Sequence, residues 1–409
     1  MKNLSRALQF SLALGLAMAA PVLPAHAQTN PAWQATLDEA RGQTVYFNAW
    51  GGSESINAYL GWAAERLAAD HGVALQHVKL DDTAKAVAAV VAEKAAGRDT
   101  GGSVDLVWIN GENFAAMKDQ GLLGEGFATD LPNWAYVDTA NKPTVLTDFT
   151  IATEGQESPW GMAKLVFFTD TAVTGDLAAM PKTSAELLAW AKAHPGRFAY
   201  PAPPDFVGTS FLKQVLFETI ADPMVLQKPV EEARFTETVA PLFAYLDALT
   251  PSLWRQGRAF PQNYPALKQL LADGELAVIF AFNPAEASNG IAAGELPDTV
   301  RSFTFPAGTL GNTHFVAIPF NANARAGAKV VANFLLSPEA QARKEDPAVW
   351  GDPTVLAMDK LPEADRAAFA AIDRGLATLS PEELGPVLPE PHPTWMVRIE
   401  AEWLKRYGS

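Results

Sequence analysis

The chain has 409 residues, 48% hydrophobic and 19% charged, with a formal net charge of −15 and no cysteine. This is the composition of a folded chain of about two or three domains, and it excludes both a disulfide framework and a lipid-modified N-terminal Cys. The acidic surface repels nucleic acid and anionic lipid, and mildly favours a cationic ligand.

The first segment reads as a cleavable secretory signal. Lys2 and Arg6 precede an apolar run through Leu12, Leu14, Leu16 and Met18, followed by Pro24 and Ala25-His26-Ala27. Small residues three before and one before the cut suit signal peptidase, so the mature chain is expected to start at Gln28 and to be periplasmic. The run is shorter than the roughly 20 residues a membrane span needs. Taking Lys2 and Arg6 from the formal charge of −15 leaves the mature chain at −17.

Runs of β-branched and aromatic residues predict strands at Thr44 to Trp50, Leu75 to Leu80, Val104 to Asn110, Lys164 to Thr169, Leu276 to Phe282 and Phe315 to Phe320. Between the first three, Ile56, Leu60, Ala63 and Leu67, then Val87, Val90, Val91 and Ala95, recur at helical spacing and stop at Gly72 and Gly97. Strand, helix, strand, helix, strand is a βαβαβ unit. The first and third strands lack polar alternation, as strands covered on both faces do. Thr183 followed by Glu186 predicts a capping box, and Ser337-Pro338-Glu339 predicts a helix start. The prolines of Tyr200 to Phe206 exclude helix and central strand there. Helical runs at Glu363 to Ala377 and Trp395 to Tyr407 read as a cap on one lobe.

In an open α/β sheet, ligands sit beyond the carboxyl ends of the strands, where helix N-termini present free N–H groups. The candidate ligand contacts therefore come from the loops. Trp50, Gly51, Gly52 and Ser53 follow the first strand, an aromatic face beside backbone that a ligand can approach closely. Asn110 and Glu112 follow the third strand; Glu112 also fits an ordinary N-terminal helix acid. Trp160 is placed to stack on a ligand or to pack a hinge. Thr209 and Ser210 open a helix after the proline loop, where capping alone would also explain them. Asn283 ends the strand Leu276 to Phe282, and Trp254 and Tyr264 are further candidates for the wall.

Enzyme chemistry finds little support. There is no G-x-x-x-x-G-K-[ST] loop, no ordered G-x-G-x-x-G and no G-x-S-x-G elbow. The six His residues are not paired at zinc spacing, so neither a metal nor a cofactor is expected. Glu154 and Glu157 could imitate a glycosidase pair, which keeps a secreted carboxylate-dependent hydrolase as an alternative. A ligand-loaded sensor protein is the other.

Several segments resemble the extracellular solute-binding proteins of ABC importers, with the type II periplasmic-binding-protein fold. Asn333 to Gln341 is similar to that family's late helix, Asp273 to Val278 to a strand start, and Val104 to Trp108 with Gly121-Leu122-Leu123 to its third strand and turn. Val45 to Gly52, Trp108 to Phe114 and Pro159-Trp160-Gly161 resemble the YnjB-like branch. The resemblance implies an α/β protein of two hinge-connected, doubly wound lobes. The expected division is residues 28–160 and 284–345 in one lobe, and 161–283 and 346–409 in the other. It further implies a monomer that is not an enzyme, which passes a small organic solute, thiamine-like or another organic cation, to a membrane permease and ATPase. No two Tyr residues are adjacent, against the ferric-ion pattern of some relatives.

Overall fold

The computed structural model describes residues 30–408, so the expected signal segment lies outside the described residues. Among the described residues there are eleven strands. They are β1 Thr44–Trp50, β2 Ala74–Leu80, β3 Leu106–Ile109, β4 Thr147–Asp148, β5 Ile151–Ala152, β6 Glu157–Lys164, β7 Val166–Asp170, β8 Val278–Ala281, β9 Val300–Phe303, β10 Thr309–Ala317 and β11 Val387–Leu388.

The larger sheet runs β11-β10-β3-β1-β2, with β6 also pairing β10. β1 is parallel to both β2 and β3, and parallel pairs need crossovers, which the helices Glu54–His71 and Ala84–Ala95 supply. This is the βαβαβ unit read from the sequence. The third strand starts at Leu106, later than expected. Asp105 before it is fully buried, and its carboxylate accepts the backbone N–H groups of Tyr46 at 2.9 Å and Ala324 at 2.7 Å. The run expected at Phe315 to Phe320 is the end of a longer strand that starts at Thr309 and stops at Ala317.

The smaller sheet is antiparallel, in the order β8-β7-β9. The chain passes into it at Leu165 and returns between Phe303 and Thr309. The crossings therefore fall later than the expected 160/161 and 283/284 boundaries: β6 stays bonded to β10 through Lys164, and β9 pairs with β7. The late segments are shared as well. Trp350, Val355, Leu361 and Phe369 join the core under the larger sheet, while Ala377, Trp395, Ile399 and Trp403 join the other.

Each lobe has its own core. Val45, Phe47, Leu60, Trp160, Val331 and Leu335 fill the first; Phe167, Tyr200, Phe211, Phe280 and Trp403 fill the second. The helix starts follow the sequence closely. Ser337 caps Pro338–Glu345 by accepting from Ala340 N at 3.2 Å. Thr183 accepts from Glu186 N at 3.1 Å, but the Glu186 carboxylate reaches past the cap to Lys182 N at 2.8 Å, so only half of the box forms. Among the described residues, no helix is long and apolar enough to cross a membrane.

Candidate functional site

The end of β3 faces the second lobe. Asn110 is extended and precedes the helix Gly111–Asp119, but its side chain does not cap that helix. Its Nδ2 donates instead to Thr313 O at 2.7 Å, fastening the loop to β10. Asp148 takes the capping role from outside, accepting from Gly111 N at 2.7 Å. Gly111 has φ +57, and a Cβ there would sit 2.8 Å from the Phe149 ring. Both facts require glycine, and together they set the direction in which the next residue, Glu112, projects.

Glu112 lies in a poorly solvated position. Burial pushes its carboxyl up to about 7, an effect opposed by a backbone hydrogen bond and Lys213 and reinforced by Asp82 and Glu390. Asn113 donates to it at 2.7 Å.

The facing wall is built on the helix Phe206–Thr219. Asp205 caps it, accepting from Val207 N at 3.0 Å and Gly208 N at 3.1 Å, and burial raises its carboxyl above the ordinary range. Asp205, Thr209 and Lys213 follow at four-residue intervals and so share one face. Thr209 is fully buried and donates to Glu400 at 2.7 Å. Glu400 comes from the helix Pro393–Tyr407, and burial pushes it up to about 7, with Glu112 adding to the rise. Lys213 is fully buried and pairs with Glu390 at 2.6 Å. Phe206 meets Phe282 edge-on, with centroids 5.2 Å apart.

Asp82 and Glu112 from one lobe act electrostatically on acids of the other: the Asp82 charge raises Asp205 and Glu400 as well as Glu112, and the Glu112 charge raises Glu400. Lys213, the cation whose charge acts on Glu112 and Glu400, is already paired with Glu390. Glu112 and Glu400 therefore hold their protons up to near neutral pH unless a cation enters. Among the described residues, no group of three or more His, Asp or Glu is arranged to hold a metal ion.

The structure sorts the sequence candidates into distinct settings. Glu112 and Thr209 belong to the acidic cleft, Thr209 through its bond to Glu400. Ser53 caps the helix Glu54–His71 and lines a separate cavity of about 310 Å³ with Asn289 and Arg343. Trp50 is half-exposed beside it in the chain, and its ring blocks any side chain at Gly52, where a Cβ would fall 2.4 Å away; a Cβ at Gly51 would meet Lys79. None of Trp50, Glu112 or Thr209 lines that cavity.

Two candidates, Trp160 and Ser210, are corrected. Trp160 has no exposed surface and packs against Trp108 and Trp350, with centroids 4.9 and 5.3 Å away, so stacking on a solute is closed to it. Ser210 is equally buried and donates to Phe206 O at 2.8 Å. Asn283 uses both ends of its amide, accepting from Ala285 N at 3.0 Å and donating to Trp350 O at 3.2 Å. Trp254 donates to Glu275 at 2.7 Å, and Tyr264 is buried. The carboxylate pair considered for hydrolysis does not assemble: Glu154 is exposed and bound to Lys118, whereas Glu157 has no exposed surface.

Residues 62–356 match the family of bacterial extracellular solute-binding proteins. The chain belongs to that family. A curated relative, protein YnjB of Escherichia coli strain K12, is 50% identical over 377 residues, which cover 92% of this chain and 94% of that protein. The same fold is found in the Tp0655 lipoprotein of Treponema pallidum, with TM-score 0.62, 14% identity and coverage of 88% of this chain and 98% of that one. It is found too in the periplasmic binding protein AfuA of Actinobacillus pleuropneumoniae, with TM-score 0.61, 14% identity and coverage of 90% and 99%. The spermidine/putrescine substrate-binding protein PotD of Streptococcus pneumoniae matches with TM-score 0.59, 14% identity and coverage of 90% and 98%.

In this extracellular solute-binding protein the sequence reading missed Asp82, Asp205, Lys213, Glu390 and Glu400. Asp205, directly after the proline loop and before a helix, was the one readable signal, as an N-cap acid. Nothing local marks Glu400. It lies 191 residues from Thr209 and reaches the cleft only because the tail helix docks on the second core.

Proposed function

We propose that this protein is the periplasmic solute-capturing component of an ABC importer, and that its cleft takes a small organic cation, thiamine-like or of related size and charge. The observation that carries the reading is the pair Glu112 and Glu400, one from each lobe, both pushed up to about 7 by burial, with the Glu112 charge adding to the rise of Glu400. A cation between them would remove the repulsion, draw the two lobes together and replace the lost water. Phe206 and Phe282 offer aromatic surface close by, to which organic cations are attracted. The family membership supports the role in capture, and the polyamine named for PotD agrees with the sign of the charge. The captured solute would pass to a permease driven by an ATPase, with the protein acting as a monomer. Trp50, Gly51, Gly52, Ser53 and Asn110 remain candidate contacts at the rim.

Isothermal titration at pH 8 with thiamine, choline and neutral sugars tests this directly. Saturable heats with at least one organic cation and none with the sugars are expected. Binding of neutral or anionic solutes alone would overturn the cation reading.

A further inference from the structure

The Lys213 ammonium has a setting of its own. Its Nζ lies 4.6 Å from the centroid of Phe149 and 5.0 Å from that of Phe206, and 2.6 Å from the Glu390 carboxylate. Two aromatic faces and one carboxylate are the groups with which proteins recognise a free alkylammonium. Here the occupant is tethered to the protein. Glu390 is fixed from its other oxygen by Asn312 Nδ2 at 3.0 Å, on the crossing strand β10, and Phe149 is fixed against Gly111. The cage therefore takes its lining from both lobes, and its lysine lies one turn beyond Thr209 on the same face of the helix Phe206–Thr219.

We infer that Lys213 is a specificity-determining residue: its ammonium fills a built-in cation site lined from both lobes, so the cleft accepts solutes with one cationic centre and rejects diamines. The inference rests on the cation reading above and narrows it. With Glu390, Phe149 and Phe206 already satisfied, a second ammonium reaching this cage would find its carboxylate taken and would face the Lys213 charge. Removing the lysine side chain beyond Cβ leaves a cage the size of n-propylammonium.

The test uses the full mature chain and Lys213→Ala, with Lys213→Ala/Glu390→Gln as the variant that removes both charges. In thermal melts, n-propylammonium chloride is expected to raise the melting temperature of Lys213→Ala above matched potassium chloride and 1-propanol controls, with no such difference for the parent or the double variant. In titrations, 1,4-diaminobutane is expected to bind Lys213→Ala about tenfold or more tightly than the parent, which corresponds to one restored ion pair. If Lys213→Ala does not fold in buffer alone, folding rescued by n-propylammonium and not by 1-propanol supports the cage equally. A folded Lys213→Ala that responds equally to ammonium and alcohol, or no rescue of an unfolded one, overturns the cage. A cage that is rescued, with unchanged diamine affinity, overturns the selectivity. If the parent binds no cation while rescue succeeds, the cleft reading fails and with it the selectivity, and the cage stands.

Discussion

The Thr209 hydroxyl donates to the Glu400 carboxylate at 2.7 Å from a side chain with no exposed surface. The bond joins the helix Phe206–Thr219 to the tail helix Pro393–Tyr407, and it holds in place one of the two cleft acids pushed up to about 7. Thr209→Val keeps the shape and removes the donor, and it leaves a buried carboxyl short of a partner, at a cost of about 1–3 kcal/mol. Cation affinity is expected to fall several-fold, whereas Thr209→Ser retains it. Equal affinities of Val and Ser variants by titration would show that the bond positions nothing.

Binding and stability respond to pH in opposite directions. Glu112 and Glu400 hold protons up to about 7 in the folded protein, whereas an unfolded glutamate releases them near 4.5. Between these values the native state binds more protons, so ligand-free stability falls as pH rises through the window and levels off above about 7. Cation affinity rises over the same range, because the ligand needs the ionised forms, and protons are released on binding. Melting curves from pH 4.5 to 8 and titrations in buffers of different ionisation heat measure the two trends. A ligand-free melting temperature rising from pH 5 to 8 would contradict the assignment.

Glu112→Gln should separate function from stability. It removes the group whose ionisation the fold resists, and so stabilises the ligand-free protein at pH 8 by up to about 3 kcal/mol, with little effect at pH 5. Cation binding at pH 8 is expected to weaken about tenfold, the equivalent of ~1.4 kcal/mol. A variant that is both less stable and unchanged in affinity at pH 8 would remove Glu112 from the site.

Trp160→Ala is expected to act on folding. Deleting a buried indole packed against Trp108 and Trp350 costs about 3–5 kcal/mol, with any loss of binding traceable to unfolded protein. Denaturant titration together with the affinity of the folded fraction distinguishes this from a contact role.

Gly111→Ala tests the backbone that aims Glu112. Positive φ and the 2.8 Å approach to Phe149 together make the substitution costly, by about 1–3 kcal/mol, and tilt the helix start away from Asp148. Lower stability with a matching loss of cation affinity is expected from melts and titrations; intact affinity would detach the Gly111 turn from the site.

Locally encoded features were legible in the sequence. The βαβαβ order, the β1 boundaries and the Ser337 cap followed from hydrophobic period and capping chemistry, which act over a few residues. Glu112 could be selected because strand ends in such sheets face the cleft. Trp160 could not be resolved between stacking and packing, because an aromatic residue on a strand looks the same in either role until its neighbours are known. The crossing points were displaced for a similar reason: which sheet a strand joins depends on its pairing partner, here β10 for Lys164 and β7 for Val300.

By itself the sequence determined the class of fold, the acidic balance and the loops from which one wall of the cleft would come, since these are properties of short segments and of composition. Only the tertiary structure decided that the Glu112 charge acts on Glu400, that Lys213 is spent on Glu390 and that Asn283 bonds to Trp350. Those pairings join residues far apart in the chain, and burial, which makes them matter electrostatically, exists only once both cores have closed.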